Sequence, residues 1–271
     1  MVMATTFTDV VKGGVSWREA GDPAGPAAVF LHGLGGNRTN WDPQLASLSD
    51  VRRCCAVDLP GYGESAGSPA SLPEIAAGIA AWISELDDGP VDVVGLSFGG
   101  MVAQHLTLDH AQVVRTLTLL DTSPAFGLDG VTTPEGWLDS RVRAIRDPDP
   151  SAPGIETVVA GLVGSLAPAD VSTTMIESMR AVPAATLEAA CRALVRHDTR
   201  DRLHEIGVPV LVMVGAEDTE TPPSYAGAIA DRVPGAELVV VPGAGHLLNL
   251  EDAPTVDRHL RRHWSAAEQA R

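Results

Sequence analysis

The sequence predicts an α/β fold: a mostly parallel central sheet flanked by helices, with an inserted helical cap. Three observations carry this expectation. Short apolar runs rich in β-branched residues alternate with longer stretches of helical periodicity. Those runs are apolar almost throughout, instead of at every second residue, which is the pattern of strands covered by helices on both faces. One internal stretch, from Ser123 to about Glu205, breaks the rhythm with helical segments and prolines and no strand-like run.

At the N-terminus, TTFTDV and GVSWREAG read as an antiparallel hairpin on the sheet edge. The core strands follow as AAVFLHG at 27–33, CCAVDLP at 54–60, VDVVGLS at 91–97, VVRTLTLLD at 113–121, VPVLVMVG at 208–215 and ELVVVPG at 237–243. Between the second and third of these, Leu72, Ile75, Ala76, Ile79, Trp82, Ile83 and Leu86 recur at helical spacing and define one apolar stripe, hence a crossover helix. Further helices are expected after Ser97, from about Tyr225 to Val233, and from about Ala253 to Trp264. The prolines at 124, 134, 148, 150, 153, 168 and 183 divide the internal stretch. The domains expected are a core of residues 1–122 and 206–271 and a helical cap of residues 123–205. The cap enters between two strand ends and so should sit over the carboxyl edge of the sheet, where open parallel sheets bind ligands.

Composition narrows the function classes. Of the 271 residues, 45% are hydrophobic and 20% charged, enough to build a sizeable core. With 19 basic against 35 acidic residues, the formal charge of −16 argues against a surface that tracks phosphates or anionic lipid, so neither nucleic acid nor membrane is an expected partner. Cys54, Cys55 and Cys191 cannot all pair within the chain, and the first two are adjacent in a strand-like run, which fits a reducing compartment. No stretch approaches the roughly 18 apolar residues of a membrane span, and no secretory signal pattern opens the chain, so a cytoplasmic location is expected.

The chemistry is concentrated at three strand ends. Gly95-Leu96-Ser97-Phe98-Gly99-Gly100 is a G-x-S-x-G arrangement between a strand and a helix, where small neighbours let a tight, strained turn present the serine hydroxyl. A serine hydroxyl is a weak nucleophile and needs a base, which in turn needs a group to fix its tautomer. The strand VPVLVMVG runs into Ala216-Glu217-Asp218, making Asp218 the candidate acid, with Glu217 and Asp121 as competitors. The last strand gives way to Gly243-Ala244-Gly245-His246, making His246 the candidate general base. After the strand AAVFL, His32-Gly33-Leu34-Gly35-Gly36 matches the loop that supplies half of an oxyanion hole; the two donors are then the backbone amides of Leu34 and Phe98, with His32 stabilising the loop.

On the segments FLHGLGGNRTNWD, DLPGYGES, VVGLSFGGMVAQHLTL, VGAEDTETP and VPGAGHLLNLE, in that order, the chain resembles the α/β-hydrolase superfamily, and within it the 3-oxoadipate enol-lactonases and their relatives. The resemblance covers nearly the whole length and extends weakly into CRALVRHDTRD at 191–201; Phe98 stands where several lactonase-like sequences carry methionine. It implies a serine hydrolase acting on a small-molecule ester or lactone through an acyl-enzyme, with no metal and no organic cofactor. A substrate carboxylate, which the lactonase resemblance also implies, would need a cation nearby; Arg141 and Arg143 are available, though each reads more readily as a surface residue. Two other readings stay open: a carbon–carbon bond hydrolase acting on a diketone ring-cleavage product, and a noncatalytic ligand receptor on the same fold. Haloalkane dehalogenases and epoxide hydrolases fit less well, since those compared place an aspartate where Ser97 stands. A homodimer is compatible with the sequence.

Overall fold

The computed structural model describes residues 5–86, 89–146 and 154–270, with the backbone alone at 143–146. Its centre is an eight-stranded sheet: β1 Thr8–Lys12, β2 Val15–Ala20, β3 Ala27–Leu31, β4 Arg53–Val57, β5 Val91–Leu96, β6 Val114–Leu120, β7 Val210–Gly215 and β8 Glu237–Val241. The order across the sheet is β1-β2-β4-β3-β5-β6-β7-β8. The predicted hairpin is present, with β1 antiparallel to β2 and β2 antiparallel to β4, and every pairing from β4 to β8 is parallel.

The apolar runs conceal a two-sided alternation. Along β3, Ala27, Val29 and Leu31 join one core while Ala28 and Phe30 join the other. On the first face lie α2 Leu72–Glu85, α3 Phe98–Asp109 and α8 Pro223–Ala230; on the second lie α1 Asp42–Leu48 and α10 Ala253–Gln269, with Leu45, Leu48, Val256, Leu260 and Trp264 facing the sheet. The predicted stripe on α2 is buried from Leu72 to Ile83, and Ser71 caps that helix by accepting the Glu74 amide. The strand ELVVV departs from expectation: Leu238 and Val240 remain 40% and 44% exposed, because β8 ends the sheet and helices do not cover both its faces.

β3 pairs with β4 on one side and β5 on the other, so the strand order reverses there. The loops leaving β3 and β5 diverge around a crevice at the carboxyl edge, the position at which open α/β sheets bind ligands. Between β6 and β7 the chain leaves the core as α4 Pro134–Arg146, α5 Ile155–Ala160, α6 Ala169–Ala181 and α7 Ala184–Leu194, and among the described residues this insertion adds no strand beyond an isolated bridge between Ala125 and Asp198. The prolines expected at 148, 150 and 153 lie outside the described residues. Its two ends are sewn together on α3: the Phe126 amide donates to the His197 carbonyl, the Thr199 amide to the Pro124 carbonyl, and the Thr199 hydroxyl to Gln104 Oε1 at 2.6 Å. Cys54, Cys55 and Cys191 are all buried. Among the described residues no helix is long and apolar enough to cross a membrane.

The turn between β5 and α3 requires close backbone approach. A Cβ on Gly99 would overlap the carbonyl oxygens of Leu31 and His32, and one on Gly100 would lie 2.7 Å from Thr122 Cβ. Gly78, on the outer face of α2, has open space around it. Gly99→Ala should therefore lower stability by about 3 kcal/mol, the upper range for forcing extra volume into a packed interior. Gly78→Ala should instead leave it unchanged or raise it by about 0.5–1 kcal/mol. Urea unfolding of both variants checks this; equal effects would contradict the packing argument.

Candidate active site

Ser97 is the last residue before α3 and has φ 51° and ψ −114°, a conformation that costs a side-chain-bearing residue on the order of 1–3 kcal/mol. Its backbone is held on both sides. The Ser97 amide donates to the Leu120 carbonyl at 2.9 Å, and its carbonyl accepts from the Met101 amide at 3.0 Å and the Thr122 hydroxyl at 2.7 Å. The hydroxyl is thereby turned out of the strand and toward the crevice.

Ser97 Oγ lies 2.9 Å from His246 Nε2, and His246 Nδ1 lies 2.9 Å from Asp218 Oδ2. The structure thus joins three residues from the ends of β5, β7 and β8 into one hydrogen-bonded chain. With Nδ1–H donating to the carboxylate, Nε2 is left with a lone pair to accept the serine proton. Asp218 is almost fully buried and accepts three further contacts from its own loop: the Glu220 and Thr221 amides on Oδ1 at 2.8 and 3.0 Å, and the Thr221 hydroxyl on Oδ2 at 2.8 Å, beside His246 itself. Burial opposes its charge, yet His246 and these Thr221 contacts outweigh that and hold its pKa below the usual carboxylate value. Burial likewise opposes the imidazolium of His246, but the Asp218 charge and hydrogen bond, with Asp121 and Glu220 beyond, raise its pKa to about 9.

The competing acids occupy other positions. Glu217 is turned outward and accepts the amide and hydroxyl of Ser165 in the insertion, each at 2.7 Å. Asp121 is fully buried, also at positive φ, and accepts the amides of Gly215 and Leu248 at 2.9 and 3.0 Å, tying the end of β6 to β7 and to the loop after His246. Burial and the neighbouring Asp218 charge push its pKa up to about 8.

Leu34 lines the crevice, and a Cβ on Gly33 would sit 3.4 Å from Ser97 Cβ, so this loop passes directly against the serine. Among the described residues neither the Leu34 amide nor the Phe98 amide has an acceptor, while the Phe98 side chain is buried in the core. His32 stabilises the loop: Nδ1 contacts the Gly33 carbonyl at 2.9 Å and Nε2 accepts the Leu59 amide at 3.1 Å, with burial keeping the ring neutral.

Ser97 and His246 open onto a cavity of about 830 Å³, within the range of small-molecule sites. Its wall is mainly apolar and comes from both layers: Leu34, Leu96 and Met101 from the core, and Trp137, Met175 and Leu187 from the insertion. Arg141, read from sequence as a surface residue, also lines it. Its guanidinium sits 5.3 Å over the Trp137 ring and 3.6 Å from a Glu220 oxygen. The Arg143 side chain lies outside the described residues. Sequence reasoning missed Thr221, although the Asp-x-x-Thr spacing of DTET is that of a loop carboxylate capped from three residues ahead.

Because His246 is raised above 6.5 in the folded chain, its protonation adds stability that is fully present below about 6.5 and is lost as pH rises through about 9. Nitrogen-15 NMR of the histidine rings should find His246 titrating above 6.5, and Asp218→Asn should bring that midpoint down. An unchanged midpoint in the variant would contradict the assignment of cause.

The sequence profile of the alpha/beta hydrolase family matches residues 28–258. The pimeloyl-(acyl-carrier protein) methyl ester esterase of Neisseria meningitidis serogroup B is 32% identical over 232 residues, covering 80% of this chain and 84% of that protein. A thermophilic esterase from Thermogutta terrifontis, solved with malate bound, superposes with a TM-score of 0.82 at 26% identity, across 97% of this chain and 98% of its own. The enol-lactonase from Burkholderia xenovorans LB400 shares the fold, with a TM-score of 0.81 at 22% identity over 95% of this chain and 100% of its own. With the family profile spanning most of its length, the chain belongs to the alpha/beta hydrolase family and is a hydrolase.

Proposed function

We propose that the chain is a serine hydrolase that cleaves a small-molecule carboxylic ester or lactone through an acyl-enzyme. The observation that carries this reading is the continuous run Ser97 Oγ, His246 Nε2, His246 Nδ1, Asp218 Oδ2, at 2.9 Å per contact, opening on a largely apolar cavity. The methyl ester esterase and the thermophilic esterase among its relatives support the bond class.

In this reading His246 takes the proton of Ser97 as Oγ attacks the substrate carbonyl carbon. The carbonyl oxygen gains the negative charge, for which the unpaired Leu34 and Phe98 amides and the N-terminus of α3 are the donors. Collapse of the intermediate breaks the bond to the alcohol oxygen, which leaves with the proton from His246. The same histidine then removes a proton from water, the hydroxide adds to the acyl carbon, and Ser97 regains its proton as the carboxylic acid departs. Asp218 keeps the imidazole in the required tautomer and stabilises it when charged. The apolar wall suits the hydrocarbon part of the substrate, and Arg141 in that wall offers a guanidinium to an acidic or other acceptor group.

A panel of small esters, enol-lactones and diketones, tested with wild type and Ser97→Ala and followed by mass detection of acyl-Ser97, checks this. Ester or lactone turnover should fall by roughly four to six orders of magnitude in Ser97→Ala, with the adduct seen on wild type only. The rate should rise with pH through a limb above 6.5, since the base must be neutral and its pKa is raised. Turnover of diketones alone would move the reading to carbon–carbon bond cleavage; no turnover and no adduct would move it to ligand binding.

A further inference from the structure

Glu251 ends the short helix α9, Leu248–Glu251, five residues after His246, and is only 7% exposed. Its carboxylate makes no ion pair among the described residues and instead collects three backbone amides. Oε2 accepts from Gly245 at 2.9 Å and from Gly164 at 2.7 Å; Oε1 accepts from Leu247 at 2.9 Å. Gly245 and Leu247 are the two neighbours of His246, and Gly164 belongs to the insertion between α5 and α6. The amide of His246 itself donates to the Leu162 carbonyl at 2.7 Å, and the Leu166 amide to the Gly243 carbonyl at 3.0 Å. The two segments meet backbone to backbone: a Cβ on Gly164 would lie 2.5 Å from the Gly245 nitrogen, and a Cβ on Gly245 would lie 2.6 Å from the Gly164 nitrogen.

A carboxylate buried against three amides restricts each of them in direction, since each N–H must point at one of two oxygens about 2.2 Å apart. One side chain therefore fixes the peptide unit that follows His246 and the unit that ends at Gly245, while the unit between Gly245 and His246 is held by the Leu162 carbonyl, and the same side chain holds the insertion against them. We infer that Glu251 is a positioning residue for His246, and that it makes the alignment of the imidazole depend on the docking of residues 162–166 of the insertion. It touches no reacting atom and acts through the loop alone. The consequence is that the wall of the cavity and the base of the relay are set together: an insertion displaced from the core also loosens the histidine. This inference rests on the proposed role of His246 only for its kinetic consequence; the geometric part stands without it.

The test is Glu251→Gln with Gly164→Ala as its independent partner. A glutamine keeps the shape, yet in either orientation of its amide an NH2 group faces an amide N–H, so no flip satisfies all three donors. A misaligned base costs roughly ten- to a hundred-fold in rate. The expected result for folded Glu251→Gln is a kcat lower by that factor on the best ester of the panel, with KM changed less than about three-fold, since no wall residue is removed. In nitrogen-15 NMR the His246 ring should show a broadened Nδ1–H signal and a midpoint shifted toward 6.5. Gly164→Ala, which leaves Glu251 intact but lifts the insertion, should lower kcat and disturb the His246 ring in the same way, and raise KM as well, because it moves the cavity wall. Unchanged kcat and unchanged His246 spectra in folded Glu251→Gln, or losses that merely follow its folded fraction, overturn the inference. If Glu251→Gln does not fold, the same readings on Gly164→Ala decide. Should wild type turn over nothing, the ring spectra still read the positioning role, so failure of the proposed function and failure of this inference remain separate.

Discussion

The arrangement depends first on the backbone of Ser97. A non-glycine residue at φ 51° does not rest there by its own preference; it is held by a bond from its amide to β6, bonds to its carbonyl from Met101 and Thr122, and the packing of Gly99 and Gly100 against β3 and Thr122. A side chain at Gly99 would push α3 away from β3, and one at Gly100 would push it away from Thr122. With α3 displaced, the serine would relax into the strand and its hydroxyl would leave the reach of His246. The local strain is thus sustained by the burial of the two cores on either side of the sheet, which bring β3, β5 and β6 together.

Two buried acids then divide the work at the carboxyl edge. Both Asp218 and Asp121 accept backbone amides, but Asp218 adds the Thr221 hydroxyl and the imidazole, while Asp121 adds the repulsion of Asp218. The same desolvation therefore leaves one charged and favours the neutral form of the other. The charged one orients the histidine, and the other braces β6, β7 and the histidine loop into a frame. Their different fates follow from hydrogen-bond partners, since depth of burial alone does not separate them.

The insertion closes this frame from above. Its ends are joined through His197 and Thr199, the latter bonded to Gln104 on α3, and it is docked at residues 162–166 on the histidine loop, so it supplies one wall of the cavity and one support of the loop that carries His246. Under the proposed function, binding and chemistry share a structural element, which limits how far the wall can vary without disturbing the alignment of His246.

Legible in the residues alone are the layered architecture, the strand ends that carry Ser97, Asp218 and His246, and their order along the chain. Those features are local: apolar runs, a helical stripe, and glycine-bounded turns declare themselves over a few residues. Even here β8 departs from the covered pattern, because a valine run reads the same at the edge of a sheet as at its centre. Glu217, Asp218 and Asp121 each follow a strand, so the residues alone do not separate them; the packing of the strand ends sets which carboxylate faces His246. Thr221, the role of Glu251 and the place of Arg141 in the cavity wall are likewise decided by the tertiary structure. Thr221 lies only three residues beyond Asp218, but the other two depend on contacts between segments as much as 87 residues apart, as between Gly164 and Glu251, and hydrogen-bond direction at that separation leaves no periodic trace in the chain.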